Sequence, residues 1–139
     1  MKKIYALYGS KDRGKSETIK LLFDKLKSLD YEILEIIIPI YGGDIRVVIK
    51  INGKIIAIES QGDPNSRIFE SLPSFVKIEA DIIICATRTR GGTVKLVEKY
   101  NKKYNIIWVK KEHSASISSQ KSDNDKLAEK IFKMIKANL

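Results

Sequence analysis

Residues Gly9-Ser10-Lys11-Asp12-Arg13-Gly14-Lys15-Ser16 match the pattern G-x-x-x-x-G-K-S/T at every required position. The chemistry of that pattern is anion binding. Glycines let the backbone close around a phosphate where side chains would clash. Free N–H groups at a helix start point at the anion and carry partial positive charge. Lys15 would bridge the β- and γ-phosphates, and Ser16 would place its hydroxyl on Mg²⁺. All eight residues are therefore candidates for holding a nucleoside triphosphate, ATP or GTP, with Lys15 also catalytic.

Such a loop works only between a strand and a helix. Lys3–Tyr8 is an apolar run that reads as a buried strand ending at Gly9. Ser16–Leu29 reads as a helix, with Ile19, Leu22, Phe23 and Leu26 on one face. Glu32–Ile38 is β-branched and stopped by Pro39, so it is a strand. Ile45–Ile51 and Lys54–Glu59 flank Asn52-Gly53, a strong hairpin signal. Asp63-Pro64 reads as a helix start, with the helix running toward Val76 and interrupted or restarted at Pro73. Asp81–Ala86 is a buried strand, Thr93–Tyr104 a helix and Ile106–Val109 the last strand. His113–Lys121 reads as a polar, serine-rich loop. Ser122 to Asp125 has capping-box spacing for a final helix, whose inner face is Leu127, Ile131, Met134 and Ile135. This alternation predicts an α/β three-layer sandwich, with a mostly parallel sheet and one antiparallel hairpin strand. Residues 1–139 read as a single domain.

Topology then sorts the remaining chemistry. Ligands of parallel sheets sit outside the carboxyl ends of the strands. The strand at 3–8 ends at the glycine loop, which marks the site edge. The second hairpin arm ends there at Glu59, an acid closing an apolar strand. Its carboxylate would hold a Mg²⁺-bound water or orient the attacking water. Asp81 begins its strand, on the opposite edge, and is excluded as a magnesium group. The strand at 81–86 delivers Arg88 and Arg90 to the site edge as catalytic candidates, where guanidinium groups could bind the γ-phosphate or a second phosphorylated substrate bidentately. Asp44, in the loop from Pro39, could accept a substrate proton or touch the metal.

On residues 9–16 the chain resembles the P-loop NTPase superfamily. Ile58-Glu59-Ser60-Gln61-Gly62-Asp63 is similar to the Ile-Glu-Ser-Gly-Gly-Asp stretch of the urease-accessory GTPases, which belong to the SIMIBI class with the hydrogenase nickel-insertion proteins. The resemblance covers these two segments. It implies a P-loop NTPase-like sandwich, with Glu59 and Asp63 near Mg²⁺ and the γ-phosphate, and Ser16, Glu59 and Asp63 as the metal group. The Asn-Lys-x-Asp that reads guanine in that family has no counterpart after Val109, nor does the nickel-binding Cys-Pro-His occur. Ser10 stands where dimeric ATPases of the class carry a signature lysine. The base is left open between ATP and GTP.

Composition narrows the partners. The net charge of +9 favours anions, with the densest lysine cluster between Lys99 and Lys111. No aromatic stacking run or nucleic-acid motif accompanies it, so no specific nucleic acid is expected. No stretch approaches the roughly 18 apolar residues of a membrane span, and a cytoplasmic setting is the simplest. The single cysteine, Cys85, lies in an apolar run and reads as a buried, inert thiol. The expected function is Mg²⁺-dependent hydrolysis of ATP or GTP, with room for a protein partner or a homo-oligomer. One alternative is a small-molecule phosphotransferase, with Arg88 and Arg90 gripping the acceptor and Asp44 as base. Another is a non-enzymatic nucleic-acid or assembly module with bound nucleotide.

Overall fold

The computed structural model describes residues 2–10, 14–37 and 43–139. Lys11, Asp12 and Arg13 of the glycine loop lie outside them, as does the segment 38–42 that precedes Gly43 and Asp44.

The described chain alternates strand and helix. β1 (Lys3–Tyr8) leads through the glycine loop to α1 (Lys15–Leu26). β2 (Glu32–Ile37), β3 (Arg46–Ile51) and β4 (Lys54–Glu59) follow. Then come α2 (Ile68–Lys77), β5 (Ile82–Thr87), α3 (Gly92–Glu98), β6 (Asn105–Lys110) and α4 (Ile117–Lys136). The strands form one sheet in the order β2-β3-β4-β5-β1-β6. β3 runs antiparallel to both its neighbours, while β4, β5, β1 and β6 pair in parallel. The fold is thus α/β, with a mostly parallel sheet and one reversed hairpin strand.

Period-two alternation sends successive side chains to opposite faces of the sheet. Tyr5, Leu7, Ile56, Ile58, Ile82 and Ile84 face one side, where they meet Ile19, Leu22, Phe23 and Leu26 of α1 and Ala128, Ile131 and Ile135 of α4. Ile4, Ala6, Ala57, Ile83 and Cys85 face the other, under Ile68, Leu72 and Phe75 of α2 and Val97 of α3. The central strands therefore read as unbroken apolar runs, because both their faces are covered. The hairpin turns at Asn52 and Gly53, both with positive φ (52° and 78°), which the Asn-Gly pair tolerates.

Three element boundaries differ from expectation. The serine-rich stretch is a loop only as far as Ser116: Ser116 caps α4, accepting from Ser119 N while Ser119 Oγ accepts from Ser116 N. Serine hydroxyls compete for backbone groups, and here they do so at a helix start rather than in a coil. The helix after β4 begins at Ile68, not at Pro64. Asn65 at φ 56° breaks any helix opened there, and Ser66 N closes a turn on Asp63 O instead. From Ile68 it runs through Pro73 without restarting, its apolar face of Ile68, Leu72 and Phe75 fully packed. α3 stops at Glu98. Tyr104 is drawn inward, its hydroxyl donating to Ala80 O at 2.7 Å, and the chain turns toward β6.

On the edge away from the glycine loop, Asp81 ties strands together. Its carboxylate accepts from Ile55 N at 2.8 Å, and its carbonyl accepts from Lys3 N at 3.0 Å. Among the described residues, no helix is long and apolar enough to cross a membrane.

Candidate functional site

The carboxyl ends of β1, β4 and β5 converge with the start of α1 and the upper turns of α4. Between them lies a cavity of about 410 Å³, lined by Gly14, Lys15, Ser16, Glu17, Asp44, Ser60, Gly62, Asp63, Ala86 and Gln120. Local sequence explains each wall.

Gly14 takes φ 88°, a left-handed conformation that a Cβ would strain. Its carbonyl accepts from both Thr18 N and Thr18 Oγ1, which starts α1. The first amides of α1 are therefore left without helical partners. Lys15 is buried. Its ammonium donates to the Gly9 carbonyl and, at 2.6 Å, to the Thr87 carbonyl. It thus bridges the ends of β1 and β5, with a full positive charge at the mouth of the sheet.

Ser16 Oγ donates to Asp44 Oδ1 at 2.6 Å, and Ser60 Oγ donates to the same oxygen at 2.8 Å. Ser60 in turn accepts from Ile45 N at 2.9 Å, and its own N donates to Ile45 O. This small network fixes Asp44 against the first turn of α1. Of the roles weighed for Asp44, contact with a metal beside Ser16 suits this position.

Glu59 lies at the expected end of β4, but its carboxylate does not line the cavity. Alternation decides this. Ile56 and Ile58 face α1, so Glu59 shares the opposite face with Ala57, under α2. There it is fully buried (0 % exposed). Arg67 grips it in a fork, Nε to Oε1 at 2.7 Å and Nη2 to Oε2 at 2.9 Å. Ser71 Oγ donates to Oε1 at 2.6 Å, and Gln61 N donates to Oε2 at 3.1 Å. The hydrogen bonds to Glu59 hold the Arg67 guanidinium above its ordinary pKa, against the opposing pull of burial. The residue that turns toward the cavity is the next one, Ser60. The metal and catalytic roles expected of Glu59 therefore have no geometric support at this carboxylate.

Gly62 crosses directly over the end of β5. A Cβ there would lie 2.2 Å from the Ala86 carbonyl oxygen, so only glycine fits. Gly62→Ala should cost about 1–3 kcal/mol through forced displacement of the β4–α2 loop. Chemical denaturation checks this; wild-type stability in the variant would contradict the close approach.

Asp63 reaches the cavity and pairs with Arg88, whose Nη2 lies 3.0 Å from Oδ1 and whose Nε donates at 3.1 Å. Arg88 N is held by Thr93 Oγ1 at 3.0 Å, which fixes the loop after β5. Arg90 is exposed on the same loop and does not line the cavity. The site edge thus brings together Gly9, Gly14, Lys15, Ser16, Asp44 and Asp63, with Arg88 alongside.

Four contributors escaped sequence reasoning. Ser60 directly follows Glu59, and Arg67 stands at the N-cap of α2. Gln120 and Asn124 lie on α4, in or just beyond the stretch that read as a loop. Cys85 is buried as expected, and desolvation, reinforced by the Glu59 charge, pushes its thiol up to about 12. Among the described residues, no three His, Cys, Asp or Glu side chains gather as a metal site. No protein-family model, no curated protein and no solved structure matches this chain.

Proposed function

We propose that this chain is a P-loop protein that binds a nucleoside triphosphate with Mg²⁺ and hydrolyses it. The observation that carries the reading is the meeting of Lys15, the Ser16–Asp44 pair and the start of α1 at one cavity on the carboxyl edge of the sheet.

Several features support it. The left-handed Gly14 sets the N-terminus of α1 beside the cavity, and a helix N-terminus suits a phosphate. Lys15 can exchange its two carbonyl partners for phosphate oxygens without leaving its position. The Ser16 hydroxyl and the Asp44 carboxylate are hard oxygen donors, 2.6 Å apart, and fit Mg²⁺. That ion commonly takes only one or two protein ligands and completes its shell with phosphate and water. When bound, Mg²⁺ would neutralise charge on the β- and γ-phosphate oxygens. The chain's own groups would orient the triphosphate. Asp44 holds the Ser16 hydroxyl, Ser60 holds Asp44, and Gly62 lets the loop carrying Asp63 approach the end of β5.

Asp44→Asn separates the cation from the phosphate. It should weaken Mg²⁺-dependent nucleotide binding by about 10- to 100-fold, as loss of a group orienting a metal ligand does. Binding without Mg²⁺ should hold or tighten, because a negative charge leaves the cavity. Titration of ATP and GTP with and without Mg²⁺ reads both. An equal loss in the two conditions would remove Asp44 from the cation site.

A further inference from the structure

Two carboxamides on α4 press on the glycine loop from the side. Gln120 and Asn124 stand four residues apart, hence on one helix face. A Cβ built on Gly14 would lie 2.6 Å from Asn124 Oδ1 and 2.9 Å from Gln120 Nε2. Asn124 is 4 % exposed, and its Oδ1 is buried with no hydrogen-bond partner. Gln120 lines the cavity together with Lys15 and Ser16. Their helix is firmly seated. Lys25 of α1 holds both Asp125 and Glu129 of α4 at 3.1 Å.

Packing alone would favour an aliphatic residue at 124. A buried carboxamide oxygen left unpaired costs about 1–3 kcal/mol, and a leucine, with the same branching but no polar atom, would avoid that cost. A carboxamide offers N–H donors without net charge, so it can approach both a loop of amides and an anion. At position 120 it stands beside the positive charge of Lys15 without repelling it.

We infer that Gln120 is a further ligand-contacting residue of this cavity, donating to a phosphate oxygen, and that Asn124 positions it and the Gly14 turn. The inference rests on the phosphate reading of the cavity. It makes α4, rather than the P-loop alone, a wall of the anion site. Because the contact is with phosphate, it serves a nucleotide and an inorganic polyphosphate alike.

The test uses the full chain with Mg²⁺ and ATP, GTP or inorganic triphosphate. Affinity is measured by calorimetry, and melting temperature with and without ligand. Gln120→Ala should weaken all three ligands roughly tenfold, the loss expected for one hydrogen bond to a charged group, with the ligand-free Tm unchanged. Gln120→Glu, with a charge that repels phosphate, should weaken them further. Asn124→Leu should keep or raise the ligand-free Tm and shrink the ligand-induced rise, which a purely structural asparagine would not do. Wild-type affinity in Gln120→Ala, while the wild type binds, overturns the inference and leaves the phosphate reading standing. A loss confined to the nucleotides also overturns it, because the contact would then be with the nucleoside. If the wild-type chain binds none of the three, the phosphate reading and the inference fall together.

Discussion

Lys15→Ala is expected to weaken nucleoside triphosphate binding by about 100-fold or more. The ammonium is buried where β1 and β5 end, and it already makes two charge-assisted hydrogen bonds to carbonyls. Hydrogen bonds to charged groups contribute about 1.5–3 kcal/mol each. In the bound state the same donors would meet phosphate oxygens that carry formal charge, so the loss should lie at the upper end of that range. A loss of about 3 kcal/mol corresponds to roughly 100-fold in affinity. Lys15→Arg should fare little better, because a planar fork does not fit a point-charge site. The substitution also strands the Gly9 and Thr87 carbonyls, so a modest drop in ligand-free stability should accompany the binding defect. Lys27→Ala, just beyond the far end of α1 from the loop, provides the control and should bind normally. Calorimetric titration of the three variants reads the difference. Near-normal binding by Lys15→Ala would separate Lys15 from the ligand.

Glu59→Ala should be the most destabilising of the substitutions considered, and its effect should be on the fold. The carboxylate has no solvent exposure and accepts four hydrogen bonds. Removing one partner of a buried pair costs about 3–5 kcal/mol, because the other charge is left uncompensated. The Arg67 side chain is 24 % exposed and can recover some water, which places the cost near the lower end. For a domain of this size, about 3 kcal/mol lowers Tm by roughly 10 °C. Glu59→Gln should lose less, since it keeps the volume and part of the hydrogen bonding. Replacing Glu59 and Arg67 together by Leu and Met should recover much of the loss, because no lone charge remains. Glu59→Gln should also leave the Mg²⁺ dependence of nucleotide binding unchanged, in contrast to Asp44→Asn. Thermal melts and Mg²⁺ titrations of these variants check both halves. A Mg²⁺ defect in Glu59→Gln without a stability defect would return the carboxylate to the cation site.

The contrast between these two residues shows how far the sequence could be read. The junction of strand, glycine turn and helix was legible because its signals are local: an apolar run, a glycine and an amphipathic stretch in close succession. The hairpin was legible for the same reason, through Asn52-Gly53. Edge assignment also worked, since strand direction alone separates Asp81 from Glu59. Face assignment required one more step. Counting alternation from Ile56 and Ile58 puts Glu59 under α2 and Ser60 over the loop, and that count depends on knowing which face α1 covers. Gln120 and Asn124 were less accessible. They meet Gly14 only because α4 packs on α1, a contact between segments a hundred residues apart in the chain. The serines at 116–119 obscured the helix start, since the same hydroxyls cap helices and fill loops.

Titration of the wild-type chain with ATP and with GTP, in the presence and absence of Mg²⁺, tests the central claim most directly. The arrangement of Lys15, Ser16 and Asp44 predicts saturable binding of at least one nucleotide at a single site, tightened by Mg²⁺. Absence of binding to either nucleotide, with or without the ion, would contradict it.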